Sequence, residues 1–335
     1  MQQRQFGPFQ VSAIGLGCMN LSHAYGTPPS AEQGERVLLA ALDAGVTLFD
    51  TAALYGFGAN ETLVGNVLAK HRSRFTLASK GGLAGVRFDD GIKRVIDGRP
   101  ETLRKNCEDS LQRLRTDVID LYYLHRWDKK VPIEDSVGAI SDLVRAGKVR
   151  SIGLSEVSAA TIRKAHAVHP ISAVQTEYSL WTRNPEIAVL DACKELGATF
   201  VAFSPVARGF LCDALHDVTT LQAKDIRKSM PRFSPENYVA NLKLLPPYKA
   251  LAQEAGCTPA QLALAWLLHK APYIIPIPGT TSVAHLNEDL AAMDVKLSPD
   301  LLARLEALIN ESTVSGNRYS EQSRGEVDTE EFPAT

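Results

Sequence analysis

Four side chains that together could transfer a proton to a carbonyl group stand at or just after short apolar segments: Asp50, Tyr55, Lys80 and His125. A free tyrosine has a pKa of about 10, and a neighbouring ammonium lowers that pKa because it favours the phenolate. A carboxylate would keep such a lysine charged and in place, and a histidine would hydrogen-bond and orient a carbonyl oxygen. This set of residue types predicts general acid catalysis on a carbonyl group.

Each of these residues also has an ordinary structural explanation when it is taken alone. Asp50 could cap a helix, Lys80 could be solvated, His125 could be a satisfied core histidine, and Tyr55 could be packed in a loop. The four follow one another at the ends of successive predicted strands. Four unrelated structural roles are therefore the less favoured interpretation.

The elements that must position these residues are short apolar strands that alternate with amphipathic helices. This alternation predicts parallel strands joined by helical crossovers. Ser30 with Gln33 predicts a capping box at one helix start. Thr258, Pro259 and Gln261 predict the start of another helix. The eight predicted strand cores are Ala13–Leu16, Thr47–Asp50, Thr76–Ser79, Leu121–His125, Ser151–Ser155, Ala173–Thr176, Thr199–Ser204 and Ile274–Pro278.

A closed barrel and an open doubly wound sheet both accommodate eight such units. The first strand carries Gly15 and Gly17, but no third glycine opens a helix directly after it, as a dinucleotide-binding open sheet requires. We therefore predict an α/β fold with a single (β/α)8 TIM barrel. Barrel active sites lie at the C-terminal ends of the strands, so the four candidate residues would lie around one cavity at that face of the barrel.

The chain is predicted to be one barrel with additions at both ends. Residues 1–10 would form a hairpin that turns at Gly7–Pro8 and plugs the barrel, residues 11–310 the (β/α)8 barrel, and residues 311–335 a tail that packs on it. The long connections 81–98 and 206–235 would lie on the C-terminal face as lids or substrate walls.

Composition excludes several other classes of protein. The net charge is −2, from 36 basic and 38 acidic residues, and no basic stripe predicts a nucleic-acid partner. No apolar run reaches the roughly 18 residues of a membrane span, and the first residues lack the apolar stretch of a signal peptide. The five scattered cysteines predict a reducing compartment without disulfides, and hence the cytoplasm. No stripe marks an interface, so a monomer and a small homo-oligomer are both compatible.

Several segments resemble the aldo-keto reductase superfamily, over roughly Val11 to Asn310. The catalytic residues lie in FDTAALYG from Phe49, TLASKGG from Thr76 and IDLYYLHRWD from Ile119. The segment PRFSPEN from Pro231 resembles the bacterial and plant long-chain branch. Further similar segments are IGLSEVS from Ile152, AVQTEYSLWTR from Ala173, VAFSPVARGFL from Val201 and IPIPGTT from Ile275.

The resemblance implies NADPH-dependent reduction of an aldehyde or ketone to an alcohol. Tyr55 would be the proton donor, Lys80 would lower its pKa, Asp50 would pair with Lys80, and His125 would polarise and position the carbonyl. The predicted fold is also compatible with three other functions: an NAD-linked alcohol or sugar dehydrogenase that runs in the oxidative direction, a cofactor-sensing module like the potassium-channel β subunits, and a metal-dependent barrel hydrolase. The last is disfavoured because the eight histidines form no HxH pair, so no metal site is predicted.

The resemblance also implies a set of cofactor-binding residues. Ser155 and Gln175 would bind the nicotinamide carboxamide, Phe203 would stack on its ring, and the loop 204–209 would cover the pyrophosphate. A helix beginning near Ser282 would offer its N-terminus to the adenosine phosphate. The full set is Gly17, Met19, Asp50, Ser155, Gln175, Phe203, Ser204, Pro205, Val206, Arg208, Gly209, Gly279, Thr280, Thr281, Ser282, His285, Glu288 and Asp289.

The chain departs from the pattern of the family in three places. Glu156 and Asp289 stand where asparagine is usual. Ser282 and His285 stand where NADPH-preferring relatives usually place a lysine or arginine against the 2′-phosphate. Hydroxyls and a histidine lack the bidentate fork of arginine. NADP is therefore the expected cofactor, and NAD stays possible.

The predicted substrate is a small carbonyl compound in a largely aromatic pocket, because aromatic walls suit flat or apolar substrates. The sequence does not distinguish among an aldehyde, a sugar and a bulky ketone. The predicted substrate-contacting residues are Met19, Leu54, Tyr55, Phe57, His125, Trp127, Tyr178 and Trp181.

Overall fold

Eight parallel strands form one curled sheet in the computed structural model, which describes residues 1–333. Their order in the sheet follows their order in the chain, and helices lie between them. Each strand overlaps one of the predicted strand cores. The strands are β3 (Leu16–Gly17), β4 (Leu48–Asp50), β5 (Thr76–Gly81), β8 (Ile119–Leu124), β9 (Val149–Ser155), β10 (Ile171–Glu177), β11 (Thr199–Phe203) and β12 (Ile274–Pro276), where β1, β2, β6 and β7 are the hairpin strands described below.

The first and last strands of this sheet meet and close it. The backbone N–H of Gly15 donates to the carbonyl oxygen of Pro276, and that of Gly17 donates to Pro278, both at 3.0 Å. The fold is therefore the predicted (β/α)8 barrel. Its α-helices are α1 (Ala31–Asp43), α2 (Ala59–Leu68), α3 (Pro100–Leu114), α4 (Ile133–Arg145), α5 (Ala159–Val168), α6 (Val189–Leu196), α7 (Pro235–Leu242), α8 (Leu245–Glu254), α9 (Pro259–Lys270), α10 (Val283–Ala291), α11 (Pro299–Leu308) and α12 (Glu321–Arg324).

An N-terminal hairpin closes the end of the barrel opposite the predicted site. Strands β1 (Gln3–Phe6) and β2 (Phe9–Ser12) pair antiparallel around the turn at Gly7–Pro8, as the sequence predicts. Phe6 and Val11 are fully buried against side chains that point into the barrel. Those inward side chains are Leu48, Ala78, Leu121, Tyr123, Ala173, Val201, Ile275 and Ile277.

The connection after β5, which is predicted only as a long loop, contains a second hairpin. Strands β6 (Leu83–Phe88) and β7 (Gly91–Ile96) pair antiparallel across the turn at Asp89–Asp90. Much of this lid hairpin is exposed, yet Val86 and Phe88 alternate with Arg87 before the Asp89–Asp90 turn and Gly91. This short alternation beside a turn is the local signal by which the hairpin could have been recognised in the sequence.

A capping box is present at the start of α9, and the box predicted at the start of α1 is incomplete. Thr258 and Gln261 exchange both hydrogen bonds at the start of α9. The Ser30 hydroxyl accepts from the Gln33 N–H at the start of α1, but the Gln33 amide donates to the Thr281 carbonyl at 2.6 Å. The second box is therefore incomplete because a loop that follows β12 takes its side chain.

The C-terminal tail lies against the barrel at the start of α5. The Asp328 carboxylate accepts from the Ser158 N–H at 3.2 Å and from the Thr161 hydroxyl at 2.6 Å. The Lys129 ammonium donates to the carbonyl oxygens of Gly325 and Val327. Residues 334–335 of the predicted tail lie outside the described residues. In the part of the chain that is described, no helix combines the length and apolarity needed to cross a membrane.

Candidate active site

The barrel brings the four candidate residues together at the C-terminal ends of its strands. Asp50 ends β4, Lys80 lies near the end of β5, and His125 directly follows β8. Tyr55 begins a short 3-10 turn after β4. All four are buried, with Lys80 at 0% and Tyr55 at 8% exposure.

Lys80 is held by three acceptors. Its ammonium donates to the Asp50 carboxylate, to the Thr51 carbonyl oxygen at 2.9 Å and to the Tyr55 hydroxyl oxygen at 3.3 Å. An ammonium has three protons and no lone pair, so the phenol oxygen must be the acceptor in the last bond. The hydroxyl proton of Tyr55 is therefore not used in this bond and remains available to another acceptor.

The remaining oxygen of Asp50 is also bound. Gln175 Nε2 donates to Asp50 Oδ2 at 2.7 Å. Burial by itself would lower the pKa of Lys80, but the Asp50 carboxylate beside it raises that pKa above its usual value. Lys80 thus stays a cation although it is completely buried.

The pKa of Tyr55 is raised, whereas the sequence predicts that it is lowered. Burial raises it, and the Lys80 ammonium, which acts in the predicted lowering direction, does not fully offset that effect. Tyr55 is therefore protonated near neutral pH. This suits a proton donor, because the alkoxide formed from a carbonyl is a much stronger base than a phenolate.

His125 is a neutral imidazole beside Tyr55. The two ring centroids are 5.9 Å apart in an edge-on arrangement. Burial holds the pKa of His125 well below its usual value, and the charges of Arg126 and Lys80 lower it further. A neutral imidazole can donate one hydrogen bond to a carbonyl oxygen without being the acid that protonates it.

A cavity of about 680 Å³ opens above these residues. Fourteen of the eighteen predicted cofactor-binding residues line its wall. They are Gly17, Met19, Asp50, Ser155, Gln175, Phe203, Ser204, Pro205, Val206, Arg208, Gly209, Gly279, Thr281 and His285.

The other four predicted cofactor residues belong to the α10 region outside this wall. The Ser282 N–H donates to the Thr280 hydroxyl at 3.0 Å, and the Ser282 hydroxyl caps α10. Glu288 is half-buried, and Asp289 is buried. These residues form the start and one side of α10.

The described residues fit a dinucleotide cofactor. At one end of the cavity, the Gln175 amide oxygen and the Ser155 hydroxyl suit a carboxamide. The loop after β11 holds Ala207, Arg208 and Gly209 in left-handed backbone conformations, with φ of 52°, 56° and 91°. Non-glycine residues adopt this conformation at a cost of roughly 1 kcal/mol each, and such strain at a cavity indicates a binding loop. At the other end, α10 presents its N-terminus, which is a natural phosphate site.

A buried ion-pair network behind Phe203 was not predicted. The Arg318 guanidinium from the tail contacts the Glu156 carboxylate and lies 3.3 Å from that of Glu177. Arg208, which lies in the loop predicted to cover the pyrophosphate, contacts Glu177 at 2.7 Å. Burial by itself would raise the pKa of Glu177, but these arginines lower it to about 2.

This network also explains the departure at Glu156. Its carboxylate accepts from Arg318 and from the Glu177 N–H, and Glu156 does not line the cavity. The residue that replaces asparagine therefore binds the tail rather than the carboxamide region. Arg318 is 162 positions away from Glu156, so no local sequence pattern links them.

The structure divides the predicted substrate-contacting residues into two groups. Met19, Leu54, Tyr55 and His125 line the cavity. Phe57 is 46% exposed, and the indole of Trp127 donates to the Val131 carbonyl at 2.7 Å. Tyr178 and Trp181 are buried in the core, because Tyr178 donates to Glu186 and Trp181 stacks on Phe210. The structure thus places these four aromatic side chains outside the cavity wall.

Additional charged and polar side chains line the cavity instead of these four aromatic side chains. They come from five parts of the chain: the loop after β3, the lid hairpin, the segment after β8, the connection after β11 and the tail. The Arg94 guanidinium of the lid hairpin donates to the Glu326 carboxylate of the tail at 2.7 Å. The additional lining residues include His23, Tyr25, Arg94, Arg126, Arg227, Tyr319, Ser320, Ser323 and Glu326.

This fold and site define a class of protein. A buried lysine–aspartate pair bonded to a tyrosine, beside a neutral histidine and a cavity that fits a dinucleotide, is the arrangement of a barrel oxidoreductase for carbonyl or alcohol groups. Among residues 1–333, no group of three or more His, Cys, Asp or Glu side chains is placed to hold a metal ion.

Comparisons with known proteins identify the family within this class. Residues 13–310 match the model of the Aldo/keto reductase family. The chain is 44% identical over 312 residues to probable aldo-keto reductase 1 of Glycine max, covering 93% of this chain and 89% of that protein. The chain therefore belongs to the aldo-keto reductase family, whose members use nicotinamide cofactors.

Solved structures show the same relationship. A glycerol dehydrogenase from Gluconobacter oxydans has a TM-score of 0.85 and 28% identity, covering 95% of this chain and 98% of its own. An aldo-keto reductase from Bacillus halodurans in its holo form has a TM-score of 0.77 and 26% identity, covering 97% and 99%.

We expect Asp289→Asn to stabilise the protein in a pH-dependent manner. Burial, with the nearby Glu288 carboxylate, raises the pKa of Asp289 to about 7. A carboxyl whose pKa is raised on folding favours the folded state below its unfolded pKa of about 4, and this contribution is lost as the pH rises to about 7. The variant should therefore match the parent near about pH 4 and gain on the order of 2–4 kcal/mol at about pH 8.

Urea denaturation across this pH range measures the difference in free energy of unfolding. Glu311→Gln is the matched control, because Glu311 is exposed. A difference between Asp289→Asn and the parent that did not change with pH would contradict the argument.

Proposed function

We propose that this protein reduces an aldehyde or ketone to the corresponding alcohol with NADPH, and that Tyr55 is the general acid. The observation that carries the proposal is the bonding of Lys80. Its three protons go to Asp50, Thr51 and Tyr55, so the Tyr55 hydroxyl keeps its own proton for a substrate oxygen.

In this proposal, the carbonyl oxygen lies between the Tyr55 hydroxyl and the neutral His125 ring. The bound nicotinamide supplies the hydride to the carbonyl carbon. Tyr55 gives its proton to the carbonyl oxygen, so that carbonyl, NADPH and one proton become alcohol and NADP⁺. The Lys80 ammonium stabilises the resulting phenolate, and Asp50 keeps Lys80 charged until Tyr55 is reprotonated.

Residues along the cavity would hold the cofactor. Ser155 and Gln175 suit the carboxamide, and the strained loop after β11 suits the pyrophosphate. Thr281, Ser282 and His285 would bind the 2′-phosphate that distinguishes NADPH from NADH. This set contains no arginine, so the preference rests on hydroxyls, a histidine and the start of α10.

We expect NADPH to bind at least about tenfold more tightly than NADH, since the added hydrogen bonds to a charged phosphate contribute about 1.5–3 kcal/mol. Isothermal titration calorimetry with each cofactor measures this ratio. His285→Asn should reduce the ratio, whereas His216→Asn, a change at an exposed histidine outside the cavity, should leave it unchanged. Equal affinities in the parent protein would show that these residues do not form a 2′-phosphate site.

A second candidate is an NAD-linked alcohol dehydrogenase. Two observations favour it: the absence of a lysine or arginine at positions 282 and 285, and the similarity to a glycerol dehydrogenase. The same four residues serve oxidation if Tyr55 starts as the base. Tighter binding of NADH, together with oxidation of alcohols at neutral pH, would favour this candidate.

A further inference from the structure

Four arginines line the cavity, and three of them are neutralised by carboxylates. The pairs are Arg94–Glu326 at 2.6 Å, Arg208–Glu177 at 2.7 Å and Arg227–Asp225 at 2.7 Å. Arg126 is the fourth, and it forms no ion pair with any Asp or Glu of residues 1–333. It therefore leaves an uncompensated positive charge on the cavity wall.

The hydrogen bonds of Arg126 leave one edge of its guanidinium group without a partner. Nη1 donates to the His125 carbonyl oxygen at 2.7 Å and to the Ser155 hydroxyl at 3.1 Å. Within the described chain, Nε and Nη2 have no hydrogen-bond acceptor. That edge carries two parallel N–H groups, which match the two oxygens of a carboxylate.

Arg126 also lies at the reacting end of the cavity. It directly follows His125 in the chain and contacts Ser155, at the C-terminal end of β9. Burial is the main cause of the low pKa of His125, and the Arg126 charge is the next. The same charge acts on Tyr55. The guanidinium group thus lies on the same cavity wall as both groups that would bind the carbonyl oxygen.

Resting on the carbonyl reduction proposed above, we propose that Arg126 binds a carboxylate of the substrate. The preferred substrates are then aldehydes or ketones that carry a carboxylate close to the carbonyl carbon. The free Nε and Nη2 edge donates two hydrogen bonds to the carboxylate, which also neutralises the unpaired charge. If Arg126 served only to position Ser155, its Nη1 group alone would be needed.

Paired substrates test this proposal directly. The ortho, meta and para isomers of carboxybenzaldehyde, each compared with its methyl ester, differ in charge but present the same carbonyl. We expect kcat/KM of the parent protein to favour the acid over the ester by about 10- to 100-fold for at least one isomer, as two charged hydrogen bonds allow. The favoured isomer gives the spacing between the two groups.

Variants assign the preference to Arg126. Arg126→Met should bring the acid-to-ester ratio to about one, and Arg126→Lys should keep part of it, because lysine supplies the charge without the fork. Arg87→Met, on an exposed part of the lid hairpin outside the cavity, is the matched control and should keep the parent ratio. In the parent protein, benzoate should also inhibit ester reduction more strongly than benzamide does, which requires no variant.

Reduction of the esters without any preference for an acid would overturn this proposal and leave the proposed function intact. A preference that persisted in Arg126→Met would also overturn it. If no aldehyde of the set supported oxidation of NADPH or NADH, the proposed function would fail, and this proposal with it.

Discussion

Tyr55→Phe is expected to lower kcat for carbonyl reduction by about 10²- to 10⁴-fold, which is the usual contribution of a positioned general acid. The change removes one hydroxyl group and keeps the ring that contacts His125. The three acceptors of Lys80 fall to two, Asp50 and Thr51, so Lys80 remains paired. Cofactor affinity should therefore change little.

The matched control is Tyr319→Phe, because Tyr319 is another tyrosine of the cavity wall and its hydroxyl contacts Arg318 rather than Lys80. Steady-state kinetics with an aldehyde, combined with calorimetric titration of the cofactor, separates the chemical step from binding. A Tyr55→Phe protein with the parent kcat would show that another group protonates the carbonyl oxygen.

The pH dependence of reduction should identify the same residue. Burial raises the pKa of Tyr55, so the acid form persists above the usual tyrosine range and kcat should decline only at high pH. The pKa of His125 is held well below its usual value, so no second ionisation is expected near neutral pH. These two directions predict a flat profile across the neutral range.

The sequence predicts the part of this molecule that depends on local periodicity. All eight barrel strands overlap the predicted cores, since strands buried on both faces form nearly continuous apolar runs. Because parallel strands share their C-terminal edge, the positions of Asp50, Lys80 and His125 at strand ends place them together at the C-terminal face of the barrel. Residue type and strand position suffice for this inference.

The parts that the sequence does not predict depend on direction and on distance along the chain. Tyr178 and Trp181 follow β10 closely, yet their rings point into the core beside Trp266 and Phe210. The composition of a loop does not determine which side of the barrel rim an aromatic ring covers. The same limit applies to Arg318, whose two carboxylate partners belong to β10 and to the residue after β9.

Arg318→Met should destabilise the protein by about 3–5 kcal/mol, the cost of leaving a buried charge without its partner. Glu156 has a fully buried side chain, and the guanidinium group of Arg318 is its ion-pair partner in the described chain. Glu177 would keep Arg208. The variant thus leaves mainly one buried carboxylate, that of Glu156, without an ion-pair partner. The tail also loses its buried anchor.

A double variant distinguishes this cause from a simple loss of packing. Adding Glu156→Gln to Arg318→Met removes the stranded charge, so part of the lost free energy of unfolding should return. Arg324→Met, at a half-exposed arginine of the same tail, is the matched control and should change stability by less than about 1 kcal/mol. Urea denaturation measures all four proteins.

The same substitution should also affect the cavity, because Tyr319, Ser320, Ser323 and Glu326 follow Arg318 and line the wall. Once the anchor is lost, this part of the tail is held by the more exposed contacts of Arg94 with Glu326, of Lys129 and of Asp328. We expect KM for an aldehyde to rise more than kcat falls, since Lys80, Tyr55 and His125 lie on the barrel and have no hydrogen bond to the described residues of the tail. If stability fell as predicted while KM stayed at the parent value, the tail would be a structural support and not part of the substrate wall.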